Sequence, residues 1–155
     1  MRNRAIRVYA DTSVFGGVFD PEFEQASSRF FQLVRKGEFR LVISDLVEEE
    51  IRQSPNHVKG FLNEMVDYAE FISTSPGAIT LQRAYLEAKI LTPRWELDAL
   101  HVALASVAEC AIIVSWNFKH IVNFRKIPLY NGVNMIKGYG PIAIHSPMEI
   151  IADET

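Results

Sequence analysis

Short apolar runs alternate with longer segments of helical periodicity along most of this chain. Residues 6–10 and 39–43 have the length and composition of buried strands. The segment 22–36 between them places its apolar residues at helical spacing, and Gly37 follows it as a typical helix stop. Because strand, helix and strand follow one another, the pattern predicts an α/β fold with a parallel sheet.

The alternation continues to the end of the chain. Further elements are predicted as helices at 58–66, 79–91 and 98–108, as strands at 69–72, 111–115 and 142–144, and as a short helix from Pro147. The Gly- and Asn-rich segment before the last strand is predicted to be a connection. At 155 residues, with no internal repeat or linker, the chain is expected to form a single domain over 1–155.

Composition narrows the class of protein. The chain is 48% hydrophobic and 23% charged, which is typical of a soluble globular protein. Its longest apolar runs, such as 111–114, are too short to span a bilayer, and no apolar signal region follows residues 1–4. We therefore expect a cytoplasmic location and no membrane partner. Cys110 is the only cysteine, which excludes an intrachain disulfide and a cysteine metal cluster, so it is expected to pack as a small hydrophobe.

The net charge of -3 argues against a protein that coats nucleic acid non-specifically, because such binding depends on summed neutralisation of phosphates. This net charge is compatible with local basic patches. Two groups of cationic residues are candidates, Arg2, Arg4 and Arg7 in one, and Lys119, Arg125 and Lys126 in the other. Each group is interpreted either as a nucleic-acid contact or as ordinary solvated surface.

Asp11 comes directly after the first predicted strand. Ligand sites in open α/β sheets lie in the crevice beyond the carboxyl ends of the strands, where a carboxylate meets substrate or metal. Thr12 and Ser13 add hydroxyl groups, and Gly16-Gly17 is expected to let the following loop bend close to whatever Asp11 holds. The alternative is that Asp11 only caps the next turn.

Glu50 differs from the two glutamates that precede it. On a helix that begins near Leu46, Glu50 falls on the inward face, whereas Glu48 and Glu49 point outward. Partial burial of a carboxylate is costly without a cation or a hydrogen-bond partner. A functional role is therefore favoured for Glu50, and a solvated surface is predicted for the other two.

Asp98 lies in the first turn of a helix that is apolar on almost every side. The free N–H groups and the dipole of a helix N-terminus stabilise an anion, which keeps this carboxylate ionised and ready for a divalent cation. A simple capping role is the alternative. His101, one turn further on, is interpreted either as a hydrogen-bonded structural histidine or as part of the same site.

Polar residues also follow the predicted strand 111–115. Asn117 can coordinate a metal through its carbonyl oxygen or position a water, and His120 lies in the same loop or in the first turn of a helix. Auxiliary roles in the site are considered for four polar side chains, Thr12, Ser13, Ser115 and His120.

Asp11, Glu50 and Asp98 are predicted to meet at one edge of the sheet. Such an oxygen-only set suits Mg²⁺ or Mn²⁺, whereas zinc prefers histidine and cysteine. A metal of this kind activates water and stabilises charge at a phosphoryl centre, so a nuclease or a phosphatase is the natural class. The chain has no Gly-x-x-x-x-Gly-Lys-Ser/Thr phosphate loop, Gly-x-Ser-x-Gly elbow or His-Glu-x-x-His motif.

Four blocks of the sequence resemble the PIN-domain family, in particular the VapC-type toxin ribonucleases of toxin–antitoxin pairs. The blocks are Tyr-Ala-Asp-Thr-Ser at 9–13, Ile-Ser-Asp-Leu-Val-Glu-Glu-Glu-Ile at 43–51, Asp-Ala-Leu-His-Val-Ala-Leu-Ala at 98–105 and Val-Ser-Trp-Asn-Phe-Lys-His-Ile at 114–121. They occur in the family's order, and the resemblance covers essentially the whole chain.

The resemblance implies a three-layer α/β/α sandwich around a central, mostly parallel sheet of about five strands, with a Mg²⁺ or Mn²⁺ site that cuts RNA. Asp11, Glu50 and Asp98 match three of the family's acids. Asn117 stands where many members have a fourth acid, and His120 where many toxins have a later Asp. The implied partners are an RNA substrate and a small antitoxin protein, with a homodimer as one option.

The leading hypothesis is a metal-dependent endoribonuclease in which the three acids hold the metal, a metal-activated water attacks the phosphodiester, and Asn117 orients that water or completes the coordination shell. A second hypothesis is a catalytically weak PIN-like module that binds RNA or an antitoxin. A third is a haloacid-dehalogenase-like phosphatase with Asp11 as nucleophile. That family expects a second Asp two residues on, where this chain has Ser13.

Overall fold

The computed structural model describes residues 5–151 of the chain. Its strands are β1 Ile6–Ala10, β2 Phe39–Ser44, β3 Ala69–Ile72, β4 Ile112–Val114 and β5 Ala143–His145. Its α-helices are α1 Thr12–Gly17, α2 Glu24–Arg35, α3 Asp45–Arg52, α4 Asn56–Met65, α5 Pro76–Glu87, α6 Glu96–Val107, α7 Ile127–Ile136 and α8 Pro147–Ile150. Short 3₁₀ turns lie at Val66–Tyr68 and Pro93–Trp95.

The strands form one sheet of five strands in the order β3-β2-β1-β4-β5, and every pairing is parallel. This confirms the predicted α/β fold with about five strands, and the sheet is parallel throughout rather than mostly parallel. β1 lies at the centre, so the residues that follow it emerge at the carboxyl edge between β2 and β4.

Helices cover the sheet in two groups. The main contacts link α1 to α2, α3 and α4, and link α2 to α8. A second group consists of α5, α6 and α7, in which α5 packs against both of the others and α6 also contacts β4. The result is a three-layer α/β/α sandwich, as predicted.

The core consists mainly of the central strands and of α6. Val8, Tyr9 and Ala10 of β1 are fully buried, as parallel strands covered on both faces require. Almost every residue of α6 from Ala99 onward is buried as well, which confirms its predicted interior position. Cys110 packs in the core, and burial raises its pKa to about 11. No helix among residues 5–151 is both long and apolar enough to cross a membrane.

The bounds of α5 differ from the prediction. α5 occupies 76–87 rather than 79–91, because Ser75 Oγ accepts the Ala78 N–H at its start and Pro76 suits the first turn. It ends before Lys89, whose φ of 61° lies in the left-handed region.

The segment predicted as a Gly- and Asn-rich connection contains α7. Pro128 occupies its first turn, and Tyr130 and Asn134 are buried one turn apart, at helical spacing. The exposed Gly132 and the other asparagines of this segment obscured that periodicity in the sequence.

Candidate functional site

Asp11 lies where β1 ends and α1 begins, at the carboxyl edge of the sheet. It is the N-cap of α1 and accepts the Ser13 N–H through Oδ1 at 3.1 Å. The same oxygen accepts the Ser13 hydroxyl at 2.6 Å, and Oδ2 accepts the Ser115 hydroxyl at 2.6 Å. The capping interpretation is therefore correct, but the carboxylate is also held by hydroxyl groups from two separate segments.

The loop after β4 is anchored to the same carboxylate. Ser13 Oγ, which donates to Asp11, also accepts the Trp116 N–H at 2.9 Å. Trp116 stacks on Phe23 with ring centroids 4.2 Å apart, and its Nε1 donates to Ser27 Oγ at 2.8 Å. The loop is thereby fixed at both its backbone and its side chain.

Gly16-Gly17 does not act as predicted. These residues form the last turn of α1, and neither has a positive φ, so they do not bend a loop toward Asp11. A Cβ on Gly17 would lie 2.5 Å from Ser27 Oγ and 2.8 Å from Trp116 Nε1. Gly17 is required because Trp116 packs against it.

Asp11 is only 4% exposed, and none of the ion pairs formed within residues 5–151 includes it. Burial raises its pKa, and Glu50 adds to that rise, while the hydrogen bonds from Ser115 and Ser13 act in the opposite direction. The site thus holds a carboxylate whose charge the described residues do not fully compensate.

Glu50 lies on the inward side of α3, as predicted, with its side chain 29% exposed. Its Oε1 accepts the Thr12 hydroxyl at 2.6 Å and lies 2.7 Å from His101 Nε2. Burial alone would raise its pKa, but the hydrogen bonds from His101 and Thr12 lower it overall. Glu48 and Glu49 are exposed, and Glu49 pairs with Arg52 on the surface.

His101 connects Glu50 to the core. It is 3% exposed, and its Nδ1 lies 2.7 Å from Tyr9 Oη, which lies 2.8 Å from Ser44 Oγ. Burial raises the pKa of Tyr9 far above its ordinary value, so the phenol keeps its proton. From the sequence, His101 had two possible roles, and neither Tyr9 nor Ser44 was predicted to belong to the site. Tyr9 could have been found, because residues two apart on a strand point to the same face, and Asp11 follows it by two.

Asp98 lies in the first turn of α6, as predicted, although Trp95 rather than Asp98 is the N-cap. Its negative charge raises the pKa of His120, where it opposes the larger effect of burial. It also raises the pKa of Tyr130, where the larger effect of burial acts in the same direction. Within residues 5–151, no three His, Cys, Asp or Glu side chains form a group that could hold a metal ion. Asp11 and Glu50 therefore do not form such a group with Asp98 in this conformation.

Asn117 begins the turn after β4. Its N–H donates to Ser115 Oγ at 2.9 Å, and its Oδ1 accepts the His120 N–H at 2.9 Å. The carbonyl oxygen that was predicted to coordinate a metal or position a water is thus bonded to the following turn. The role of Asn117 that the structure shows is local ordering of 117–120.

His120 is 7% exposed, and neither of its ring nitrogens has a hydrogen-bond partner among the described residues. Its ring packs on Trp95 with centroids 4.6 Å apart. Burial lowers its pKa; Lys119 and Lys126 lower it further, and Asp98 opposes them. The Trp95 ring also carries two cations, with the Arg94 guanidinium 5.0 Å and the Lys119 ammonium 5.6 Å from its centroid.

Two of the described residues in the predicted basic groups have partners of their own. Arg2 and Arg4 lie outside the described residues, and Arg7 pairs with Glu70 at 2.6 Å. In the other group, Lys126 donates its Nζ hydrogen to the Ile90 carbonyl at 2.6 Å. Lys119 instead joins Arg94 at Trp95, a combination that was not predicted from the sequence.

The donors around Asp11 and Glu50 suit a hard divalent cation. They are carboxylate and hydroxyl oxygens, and Glu50 Oε2 accepts no hydrogen bond from the described residues. Mg²⁺ is often held by one or two carboxylates, together with waters and a substrate phosphate. The chemistry of Asp11 and Glu50 therefore fits Mg²⁺ or Mn²⁺ without a preformed third ligand.

No protein-family model and no curated protein matches the chain. Among solved structures, one similar chain is found in the crystal structure of VapBC2 from Rickettsia felis bound to a DNA fragment from their promoter, with a TM-score of 0.60. The likeness covers 91% of this chain and 98% of that chain, at 16% sequence identity. An identity this low establishes the fold alone. The protein therefore has the PIN-like α/β/α sandwich fold that the sequence resemblance implied.

Proposed function

We propose that this protein is a Mg²⁺- or Mn²⁺-dependent endoribonuclease that hydrolyses RNA phosphodiester bonds. The observation that carries the proposal is the pair of carboxylates, Asp11 and Glu50, fixed by hydroxyl and imidazole groups at the carboxyl edge of the sheet. Asp11 is buried, and its pKa is raised by that burial. A bound cation would relieve an electrostatic cost that the fold already carries.

In this proposal Asp11 and Glu50 hold the cation, and Asp98 contributes a further negative charge from the first turn of α6. The cation would neutralise charge at the scissile phosphodiester and activate water for its hydrolysis. Thr12 and Ser13 orient the two carboxylates before substrate arrives, which reduces reorganisation during the reaction.

The remaining predicted residues support this arrangement from the loop after β4. Ser115 donates to Asp11 and also accepts the Asn117 N–H, so it links the acid to the turn. Asn117 would act through that turn or through its amide Nδ2, since its Oδ1 is already bonded to the His120 N–H.

The side chains around Trp95 support single-stranded RNA as the substrate. Arg94 and Lys119 take part in none of the ion pairs formed within residues 5–151, so their charge is available to phosphates. An aromatic ring beside them can stack on an unpaired base. Trp95 directly precedes α6, so Arg94 lies close in the chain to Asp98, while Lys119 comes to the same ring from the loop after β4. Such local contacts are compatible with the net charge of -3.

We also propose that the protein is the toxin of a toxin–antitoxin pair, with a small antitoxin protein as its partner, and that it acts in the cytoplasm. The support is the sequence resemblance to VapC-type toxins and the likeness in fold to the VapBC2 chain. A homodimer of this chain is a second form of association in this proposal. Growth arrest on expression in a bacterial host, absent for Asp11→Asn, is the expected sign of toxin activity.

The test of the ribonuclease proposal is turnover of mixed-sequence RNA by the purified protein at several Mn²⁺ and Mg²⁺ concentrations. Asp11→Asn serves as the blank, because Asn keeps the N-cap but removes the charge. We expect cleavage that requires the metal, weakens as salt increases and is absent in the blank. RNA binding without cleavage at saturating metal would instead support the non-catalytic module.

A further inference from the structure

A continuous series of hydrogen bonds runs from Glu50 into the core. His101 Nε2 lies 2.7 Å from Glu50 Oε1, and His101 Nδ1 lies 2.7 Å from Tyr9 Oη. Tyr9 Oη lies 2.8 Å from Ser44 Oγ, which accepts the Val47 N–H at 3.2 Å and so caps α3. Since α3 carries Glu50, the series closes a ring through that helix.

The hydrogens available to this series of hydrogen bonds determine which atom donates each bond. Ser44 Oγ already accepts an N–H, and its own hydrogen has Tyr9 Oη as its acceptor within the ring. The Tyr9 hydrogen is then directed to His101 Nδ1, which must be unprotonated to accept it. His101 therefore carries its single hydrogen on Nε2 and donates it to Glu50 Oε1. In this arrangement each donor has an acceptor.

The opposite tautomer of His101, with its hydrogen on Nδ1, leaves a buried group without a partner. A hydrogen on Nδ1 would be donated to Tyr9 Oη and would turn the phenol hydrogen toward Ser44 Oγ. The Ser44 hydroxyl, which is 0% exposed, would then lose its acceptor in the ring. Leaving a buried hydroxyl unsatisfied costs about 1–3 kcal/mol.

We propose that His101 is a positioning residue for the cation site, held by Tyr9 and Ser44 as the Nε2–H tautomer so that it fixes Oε1 of Glu50 and leaves Oε2 for the cation. His101 is neither a metal ligand nor a general base in this assignment, because both of its nitrogens are engaged. The inference rests on the proposed function for the identity of the ligand, but the tautomer itself can be measured without metal.

Thr12 completes the restraint on Glu50. Its hydroxyl donates to the same Oε1 at 2.6 Å, so two donors converge on one oxygen of the carboxylate. Outer partners that orient a metal ligand in this way typically change metal affinity about 10–100-fold when removed. Tyr9 acts one step further back, since it sets which nitrogen of His101 bears the hydrogen.

The first test is ¹⁵N NMR of the histidine rings in the metal-free protein at neutral pH. The proposal expects a protonated Nε2 and an unprotonated Nδ1 for His101 in the wild type, and loss of this preference in Tyr9→Phe. A His101 ring that is doubly protonated, or protonated on Nδ1, would overturn the assignment. This readout does not depend on enzymatic activity or on any bound metal.

The second test compares two buried tyrosines by calorimetric titration with Mn²⁺. Tyr9→Phe should weaken Mn²⁺ binding about 10-fold. Tyr85→Phe is the matched control, because Tyr85 is equally buried and its hydroxyl donates to Asn134 and not to His101. It should lower the melting temperature and leave the Mn²⁺ affinity unchanged. Equal affinities in the two variants would refute the role of Tyr9.

Substitutions of His101 separate donation from packing. Gln at this position retains an N–H donor for Glu50, whereas Leu retains only volume. His101→Gln should therefore keep more of the wild-type Mn²⁺ affinity than His101→Leu, and equal loss in both would contradict the proposal. If the wild type binds no Mn²⁺ and cleaves no RNA, the proposed function fails. The NMR result still decides whether the hydrogen bonds through Tyr9 and Ser44 set the tautomer of His101.

Discussion

Ser115 Oγ donates a 2.6 Å hydrogen bond to Asp11 Oδ2, although 104 positions separate the two residues in the chain. The parallel register explains the contact, because Ala10 of β1 lies opposite Val114 of β4, and each polar residue follows one step later. The sheet thus delivers a hydroxyl directly beside a buried acid. The acid is oriented in advance, at the cost of keeping a carboxylate out of water.

Asp11→Asn is predicted to make the metal-free protein more stable at neutral pH. Burial raises the pKa of Asp11 in the folded state, so the native protein binds this proton more tightly than the unfolded chain does. The contribution of Asp11 to the free energy of unfolding is therefore fully present at low pH. It decreases as the pH rises from 3.8, the ordinary pKa of the group, through the raised pKa of the folded state. Asp11→Asn does not undergo this decrease, so above this pH range its free energy of unfolding should exceed that of the wild type by about 1 kcal/mol.

The measurement is urea unfolding of both proteins with a chelator present, at pH 4 and at pH 7. The advantage of Asp11→Asn should be larger at pH 7, and added Mn²⁺ should stabilise only the wild type. A variant that is less stable than the wild type at pH 7 would show that Asp11 is a structural cap without stored electrostatic cost.

Glu50→Gln is predicted to abolish RNA cleavage, whereas Glu48→Gln and Glu49→Gln should leave it intact. Gln can still accept from Thr12 and His101 through its carbonyl oxygen, so the fold should persist while the charge is lost. We expect a decrease of more than about 100-fold, because losing an outer partner of a metal ligand already costs 10–100-fold. The neighbouring glutamates are matched controls on the same helix, and an inactive Glu49→Gln would mean that a surface carboxylate carries the chemistry.

Local sequence patterns predicted the strands and the position of each acid relative to them. The strand before Asp11, the inward face of α3 at Glu50 and the first-turn position of Asp98 all follow from periodicity within about ten residues. These features are local, so they can be inferred without knowing which segments meet in the folded chain.

The contacts that determine the chemistry are not local. His101 reaches Tyr9 across 92 positions and Glu50 across 51, and no spacing rule pairs them. The same limit applies to Gly17, whose need for a missing Cβ depends on Trp116 in a distant loop. The assembly of Asp98 with the other acids was predicted from a shared sheet edge, and a shared edge does not fix side-chain distances.

Gly17→Ala is predicted to destabilise the protein by about 1–3 kcal/mol, as overpacking of a core usually does. The added Cβ would lie 2.5 Å from Ser27 Oγ and 2.8 Å from Trp116 Nε1, and would break the hydrogen bond that joins them. Gly16→Ala is the control, because nothing lies within 4 Å of its Cβ position, and it should stabilise α1 by up to about 1 kcal/mol. Thermal unfolding with tryptophan fluorescence measures both, and equal melting temperatures would contradict this packing account.

Asp98→Asn is predicted to lower Mn²⁺ affinity and cleavage while the protein remains folded. Asp98 lies at the N-terminus of α6, where the charge contributes about 0.3–1 kcal/mol through the helix dipole, so its loss should change stability only slightly. Calorimetric titration beside Asp11→Asn measures the relative importance of the two acids. An affinity equal to that of the wild type would restrict the cation site to Asp11 and Glu50.

Asn117→Asp is predicted to strengthen Mn²⁺ binding and to accelerate RNA cleavage. Asn117 Oδ1 accepts the His120 N–H at 2.9 Å, and a carboxylate can keep this bond with one oxygen while the other brings a negative charge toward the acids. Additional charge raises the mutual repulsion of the carboxylates, which only a bound cation relieves, so affinity for the metal should increase. The wild type should cleave RNA slowly, because neutral Asn117 supplies no such charge.

The control for this change is Asn117→Ala, which removes the bond to the turn and should lower both stability and cleavage. The assay is turnover of several RNAs of mixed sequence across a Mn²⁺ series, with Asp11→Asn as the blank. An increase in rate for Asn117→Asp over the wild type would identify position 117 as adjacent to the cation. If the wild type and Asn117→Asp both match the blank at saturating Mn²⁺ on every RNA, the ribonuclease proposal is wrong, and the protein is a binding module that keeps the fold without the chemistry.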